Sequence, residues 1–126
     1  MSKNSNFLKI TADSYDYDFE NDSLFVIRKG VQLESSIDLG NVILDMGVDG
    51  TPVGFEILHA SKVFKIPKSQ IKNFHHIKAE YVITEKTIEV KFTITVDVRN
   101  YKTPKIAISQ GINDMDLPPA QISMSC

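Results

Sequence analysis

From Ile88 the apolar residues occupy every second position, Ile88, Val90, Phe92, Ile94, Val96 and Val98, while Thr87, Glu89, Lys91, Thr93, Thr95, Asp97 and Arg99 fill the alternate set. A period of two belongs to a β-strand with one buried and one wet face, and a largely β-branched inward set suits a pleated surface. The preceding Ile77, Ala79, Tyr81 and Ile83 repeat the alternation. A reversal at Glu85-Lys86 pairs Ile83 with Ile88, Tyr81 with Val90, Ala79 with Phe92 and Ile77 with Ile94, and sets Glu80 opposite Lys91 on the solvent face. Apolar pattern and charge thus select one register. Extended, the second strand would reach about 43 Å, close to the width of a compact chain of this size. It needs cover from residues 100–126 or from a second subunit, and a twofold dimer formed through this closing strand is the expected arrangement.

Asp49-Gly50 signals a second hairpin, because this pair takes the left-handed dihedrals of a tight turn. Centring there sets Met46 against Val53, Leu44 against Phe55 and Val42 against Ile57. Asn21-Asp22 reverses a third, with Phe19 beside Leu24, Tyr17 beside Val26 and Tyr15 beside Arg28. Gln32 to Leu39 reads as a short strand stopped by Gly40. Ala60 to Phe64 reads as one helical turn, and Pro67 as the first position of a second helix over Lys68 to Phe74, with Ile71 and Phe74 facing the strands. The expected class is mainly β (α+β): antiparallel hairpins packed with one or two short helices and a long closing hairpin. Residues 1–12 are an N-terminal lead, residues 13–99 a single β-rich domain, and residues 100–126 an extension that docks on the domain or on a partner subunit. Within that extension Lys105 to Gln110 reads as a strand, and Pro104, Gly111, Asn113-Asp114 and Pro118-Pro119 limit anything longer.

A length of 126 residues with 42% hydrophobic and 24% charged residues suits one globular domain. The formal charge of −2 supplies no long-range pull toward phosphate backbones or anionic lipid. Nucleic acid is therefore disfavoured as a partner, although Lys62, Lys65, Lys68, Lys72 and Lys78 fall close together among Phe64, Phe74 and His75. The single cysteine, Cys126, excludes an intrachain disulfide, residues 1–6 form no signal-peptide core, and no apolar run would span a bilayer. A cytoplasmic protein with no membrane contact is the expectation.

Chemistry-bearing residues are sparse. Asp13, Asp16, Asp18, Glu20 and Asp22 form an acidic segment, but on a strand Asp16 to Asp22 alone would span about 20 Å, and the segment lacks the central Gly and closing Glu of a calcium loop. A solvated edge that discourages strand addition is the favoured reading. In the second hairpin Asp45 faces Gly54 and Glu56 faces Ile43, so the two carboxylates share the outer face one diagonal step apart. Such acids can share a proton or attract a divalent ion, and Gly54 would leave room beside them. With His59 they are the candidate catalytic residues; with His59 and His75 they are the candidate metal ligands. The alternative is that they solubilise the outer face while Gly54 marks a close backbone approach. No cofactor is expected, a divalent metal being the alternative. Ser61 near His59 lacks an identifiable oxyanion hole, and no phosphate-binding loop or dinucleotide turn is present.

The segments SYDYDFENDSLFV (14–26) and ESSIDLGNVILDMGVDGTPVGFEILHASKVF (34–64) resemble the small prokaryotic proteins grouped as the domain of unknown function number 2283. Asp22, Leu24, Phe25, Gly40, Asp45, Gly54, Glu56, Ile57, Leu58, Ala60 and Ser61 fill that pattern, whereas His59 stands where an aspartate is usual. The resemblance implies a compact sheet-rich domain and brings no catalytic residue or substrate. Plentiful apolar pattern and scattered chemistry favour a non-enzymatic, self-associating or protein-binding domain. An enzyme or small-ligand or metal-binding protein built on Asp45 and Glu56 is the first alternative, and a weak nucleic-acid binder the second.

Overall fold

The computed structural model describes residues 6–126, in which two five-stranded sheets face each other across a shared apolar core. The first sheet holds, in spatial order, β1 (Leu8–Thr11), β10 (Ala120–Ser125), β7 (His76–Ile83), β8 (Thr87–Val98) and β9 (Tyr101–Ile112). The second holds β2 (Ser14–Asp18), β3 (Ser23–Ile27), β6 (Pro52–Ile57), β5 (Val42–Gly47) and β4 (Leu33–Asp38). Neighbours run antiparallel except β1 and β10, which are parallel. Two short helices, α1 (Ala60–Phe64) and α2 (Lys68–Lys72), connect the sheets. The class is the mixed, hairpin-rich α+β arrangement that the sequence periodicity implies.

The closing hairpin has the expected register, with Ile83↔Ile88, Tyr81↔Val90, Ala79↔Phe92, Ile77↔Ile94 and Glu80↔Lys91. Its inward row, from Ile77 to Val96, is buried. The strand β8 is nevertheless not a free edge. Its far side is paired along its whole length by β9, from Thr87↔Ile112 to Val98↔Tyr101. The edge of β8 is thus covered by the chain's own residues 101–112, one of the two covers the sequence allows. The link between them is a tight turn at Arg99 and Asn100, with φ of 52° and 69°. Two successive positive φ values match the right-handed twist of a two-residue hairpin, and Arg-Asn is an uncommon pair to supply them. β9 extends beyond Lys105–Gln110 in both directions, Pro104 being tolerated because β9 lies at the sheet edge. Of the lead, residues 1–5 lie outside the described residues and Leu8–Thr11 forms β1.

Two registers differ from expectation, each because of an aspartate. In the β2–β3 hairpin Tyr17 pairs with Leu24 and Tyr15 with Val26, two positions from the expected pairing. Asp18 accepts hydrogen bonds from the Asn21 main-chain N–H (3.1 Å) and side-chain amide (2.7 Å), which widens the reversal to Phe19–Asp22. A shift of two keeps every side chain on its face, so the core set is unchanged. In the β5–β6 hairpin Val42↔Ile57 and Leu44↔Phe55 hold, but Met46 pairs with Pro52 after a bulge. There Asp49 accepts from the Thr51 N–H (3.0 Å) and hydroxyl (2.6 Å) and draws Thr51 into the turn. The helices are where the pattern puts them, α2 being shorter; Pro67 is extended and precedes α2 as its cap, and Ile71 and Phe74 are buried.

Candidate functional site

The register places Asp45 beside Gly54 and Glu56 beside Ile43, so these carboxylates do lie diagonally on the outer face of β5 and β6. Asp45 accepts a hydrogen bond from the Ser36 hydroxyl at 2.6 Å. No room opens at Gly54: a Cβ there would collide with the Val26 main-chain carbonyl of β3. The glycine is a close backbone approach. His59 sits in the left-handed region, φ 52°, immediately before α1. His75 contacts Asp97 of β8, Nε2 to Oδ1 2.8 Å, on the other sheet. Among the described residues no group of three or more His, Cys, Asp or Glu side chains converges as metal ligands.

The acidic segment is dispersed in the same way. Asp13 accepts the Lys29 N–H at 2.5 Å, Asp18 serves the turn, and Asp16 is exposed. Tyr15 and Phe19, between the acids, rest on the helical region. The Tyr15 ring lies 4.6 Å from that of Phe74, and the ammonium groups of Lys68 and Lys72 stand 5.5 and 5.6 Å from the Phe19 ring centroid. Lys78 lies apart from these lysines, on the outer face of β7 and 3.8 Å from Glu80.

Of this segment Asp22 alone turns inward, and it organises a buried polar cluster. Only 6% exposed, with φ 56°, its carboxylate accepts hydrogen bonds from the Tyr17 hydroxyl (2.5 Å), the Ser61 hydroxyl (2.5 Å) and the Ser61 N–H (3.0 Å). The Ala60 N–H donates to the Asp22 carbonyl at 2.9 Å. Asp22 thereby supplies the acceptors that the first turn of α1 lacks locally, since His59 makes no side-chain cap. Burial acts to raise the Asp22 pKa, but the hydrogen bonds from Ser61 and Tyr17 outweigh it and hold the carboxyl below the usual range. The Tyr17 hydroxyl is pushed above its ordinary value by burial and by donation to Asp22. Both oxygens of the carboxylate are engaged within the chain, so the cluster is a clasp between the β2–β3 hairpin and α1. Asp22 and Ser61 both belong to the motif read in the sequence; the signal that joins them is a turn aspartate and a helix whose first N–H groups need an acceptor.

Among the described residues β9 is an edge of the first sheet, with no strand on its far side and with α1 near it. The Asn113 N–H, one step past the Thr87↔Ile112 pair, donates to the Lys86 carbonyl at 2.9 Å. Main-chain groups alternate along an antiparallel strand. The odd-numbered residues of β9 therefore turn their N–H and C=O toward β8, and the even-numbered ones turn theirs to the open side. Pro104, which has no N–H to offer, falls in the outward set. The outward-set side chains cover the outer sheet face, where Ile106, Ile108 and Ile112 are 54%, 56% and 74% exposed. On the inner face β9 is tight: a Cβ on Gly111 would meet the Leu39 side chain.

Residues 14–61, from β2 into α1, match the family described as a protein of unknown function, DUF2283. A Methanosarcina mazei protein named "Putative hypoxanthine phosphoribosyltransferase" is 38% identical over 104 residues, covering 82% of this chain and 85% of that protein. An uncharacterized protein of Methanocaldococcus jannaschii is 32% identical over 108 residues, covering 85% of this chain and 93% of that protein. No solved structure matches the chain. Among the described residues no helix is long and apolar enough to cross a membrane. With relatives more than 30% identical over more than four fifths of each chain, the chain belongs to the family of these proteins and carries the DUF2283 match over residues 14–61.

Proposed function

We propose that this protein is a non-enzymatic domain that works by self-association. The observation that carries the reading is the outer row of β9, where Ile106, Ile108 and Ile112 stand exposed beside an unpaired strand edge. Natural sheets cover, shorten or charge such edges, because open N–H and C=O groups beside apolar side chains invite another strand. Asp22 and Tyr17, two polar groups with unusual environments, are consumed by the clasp. No cofactor is required. Sedimentation equilibrium at micromolar concentration is expected to give a species of two chains, and the mass of one chain throughout that range would overturn the reading.

A second reading follows from the name of the Methanosarcina mazei relative, which is similar over most of its length. It makes this chain a transferase acting on hypoxanthine and an activated phosphoribosyl donor. The outer-face pair Asp45 and Glu56 is the carboxylate pair this reading would call on. Incubation of the purified chain with both substrates and Mg²⁺ tests it directly. Formation of the nucleotide, lost in Asp45→Asn, would replace the non-enzymatic reading.

A further inference from the structure

We propose that two copies join edge to edge through Ile106–Ile112 of β9, antiparallel and centred on Ser109, so that their first sheets become one continuous sheet; this rests on the self-association reading above. Four strands lie at sheet edges, and they are unequal. β1 has 4 residues, β2 has 5 and β4 has 6, against 12 in β9. β2 carries Asp16 and Asp18, and β4 carries Glu34 and Asp38 with a bulge, devices that discourage strand addition. β9 has such devices only in its first half, at Lys102, Pro104 and Lys105. From Ile106 to Ile112 there is neither charge nor proline.

The sequence around this segment selects a second copy as the occupant. Lys102 and Lys105 precede it, and Asp114 and Asp116 follow it. Antiparallel pairing about a twofold axis brings the basic end of each strand to the acidic end of the other, a complementarity that parallel pairing would turn into repulsion. Centring on Ser109 sets Ile106 opposite the partner's Ile112 and Ile108 opposite the partner's Gln110. These are outward-set residues, so their free N–H and C=O groups pair and make about eight main-chain hydrogen bonds. Pro104 lies just beyond the ladder, where its missing N–H costs no bond, and the lysines before the segment face the loop that carries the partner's Asp114 and the partner's Asp116. On the inner face Ser109 meets the partner's Ser109 and Ala107 the partner's Gly111, small side chains that let the edges close.

Cysteine cross-linking in a Cys126→Ser background reads this register. Ser109→Cys is expected to give a disulfide-linked dimer on mild oxidation, at a rate unchanged by modest dilution. Ala107→Cys is expected to give none, since its two copies would stand about 13 Å apart, beyond disulfide reach. Ile108→Lys, an exposed change, is expected to shift the sedimenting species to one chain while leaving the circular dichroism spectrum and thermal midpoint of the fold unchanged. A two-chain species that Ile108→Lys leaves intact, or a failure of Ser109→Cys to link within it, overturns the β9 interface and leaves self-association standing. A single-chain species of the unsubstituted protein overturns both.

Discussion

The ring of Phe92 on β8 meets the ring of Phe55 on β6 with centroids 5.0 Å apart and planes inclined by 58°, joining the two sheets at the middle of the core. Phe92 has no exposure and faces Ala79 across the hairpin, so a large side chain fills the space a small one leaves. Phe92→Ala is expected to cost about 3 to 5 kcal/mol, and Thr93→Ala, on the outer face of the same strand, under about 1 kcal/mol. Denaturant unfolding of both variants checks the contrast. Equal losses would mean that the sheet–sheet contact at Phe55 contributes little.

Asp22 ties stability to pH. Its carboxyl in the folded chain titrates below the ordinary range, so the stabilisation is fully present above the unfolded value, about pH 4, and is lost as pH falls through the lowered folded value. Asp22→Asn puts an amide N–H₂ among the donors of Tyr17 and Ser61 and is expected to cost about 1 to 3 kcal/mol at neutral pH. The variant should also lose less stability than the parent between about pH 4 and pH 2. Urea midpoints across that interval measure it, and parallel profiles would refute the role of the clasp.

The hydroxyl of Tyr81 behaves differently from that of Tyr17. It is buried with no hydrogen-bond partner among the described residues, and burial drives its pKa well above the ordinary value. Removing an unpaired buried polar group removes a desolvation penalty, so Tyr81→Phe is expected to lie between neutral and about 1 kcal/mol more stable. Tyr17→Phe, which strips a donor from Asp22, is expected to destabilise by about 1 kcal/mol or more. Thermal denaturation of the pair should show opposite signs or a clear gap; a loss at Tyr81 matching that at Tyr17 would contradict the assignment.

Gly54 tests whether the outer face beside Asp45 is open or closed. Its missing Cβ position is taken by the Val26 carbonyl, a main-chain atom that cannot swing aside. Gly54→Ala is expected to cost about 1 to 3 kcal/mol through strain between β3 and β6. A variant as stable as the parent in guanidinium would show that the strands can part there, and would restore the space imagined for a ligand.

The inward rows of β7 and β8, their register, the positions of the short helices and the outer-face placement of Asp45 and Glu56 were all legible in the amino-acid order, because period-two alternation and helix length depend on neighbours in sequence. The loop chemistry was less legible: side chains of Asp18 and Asp49 capture nearby N–H and hydroxyl groups and set loop length, which shifts one register and bulges the other. Three features came only from the tertiary arrangement. Pairing of β9 with β8 depends on a left-handed Arg99-Asn100 turn that residue preference does not favour, and it moves the open edge from one strand to the next. Convergence of Tyr17, Asp22 and Ser61 includes a hydrogen bond between residues 39 positions apart, Asp22 and Ser61. His75 is held by Asp97 of the first sheet, whereas Asp45 and Glu56 belong to the second. Local pattern decides which face of a strand is apolar; which strands become neighbours is decided by where the apolar faces can be buried together, and that is a property of the whole chain.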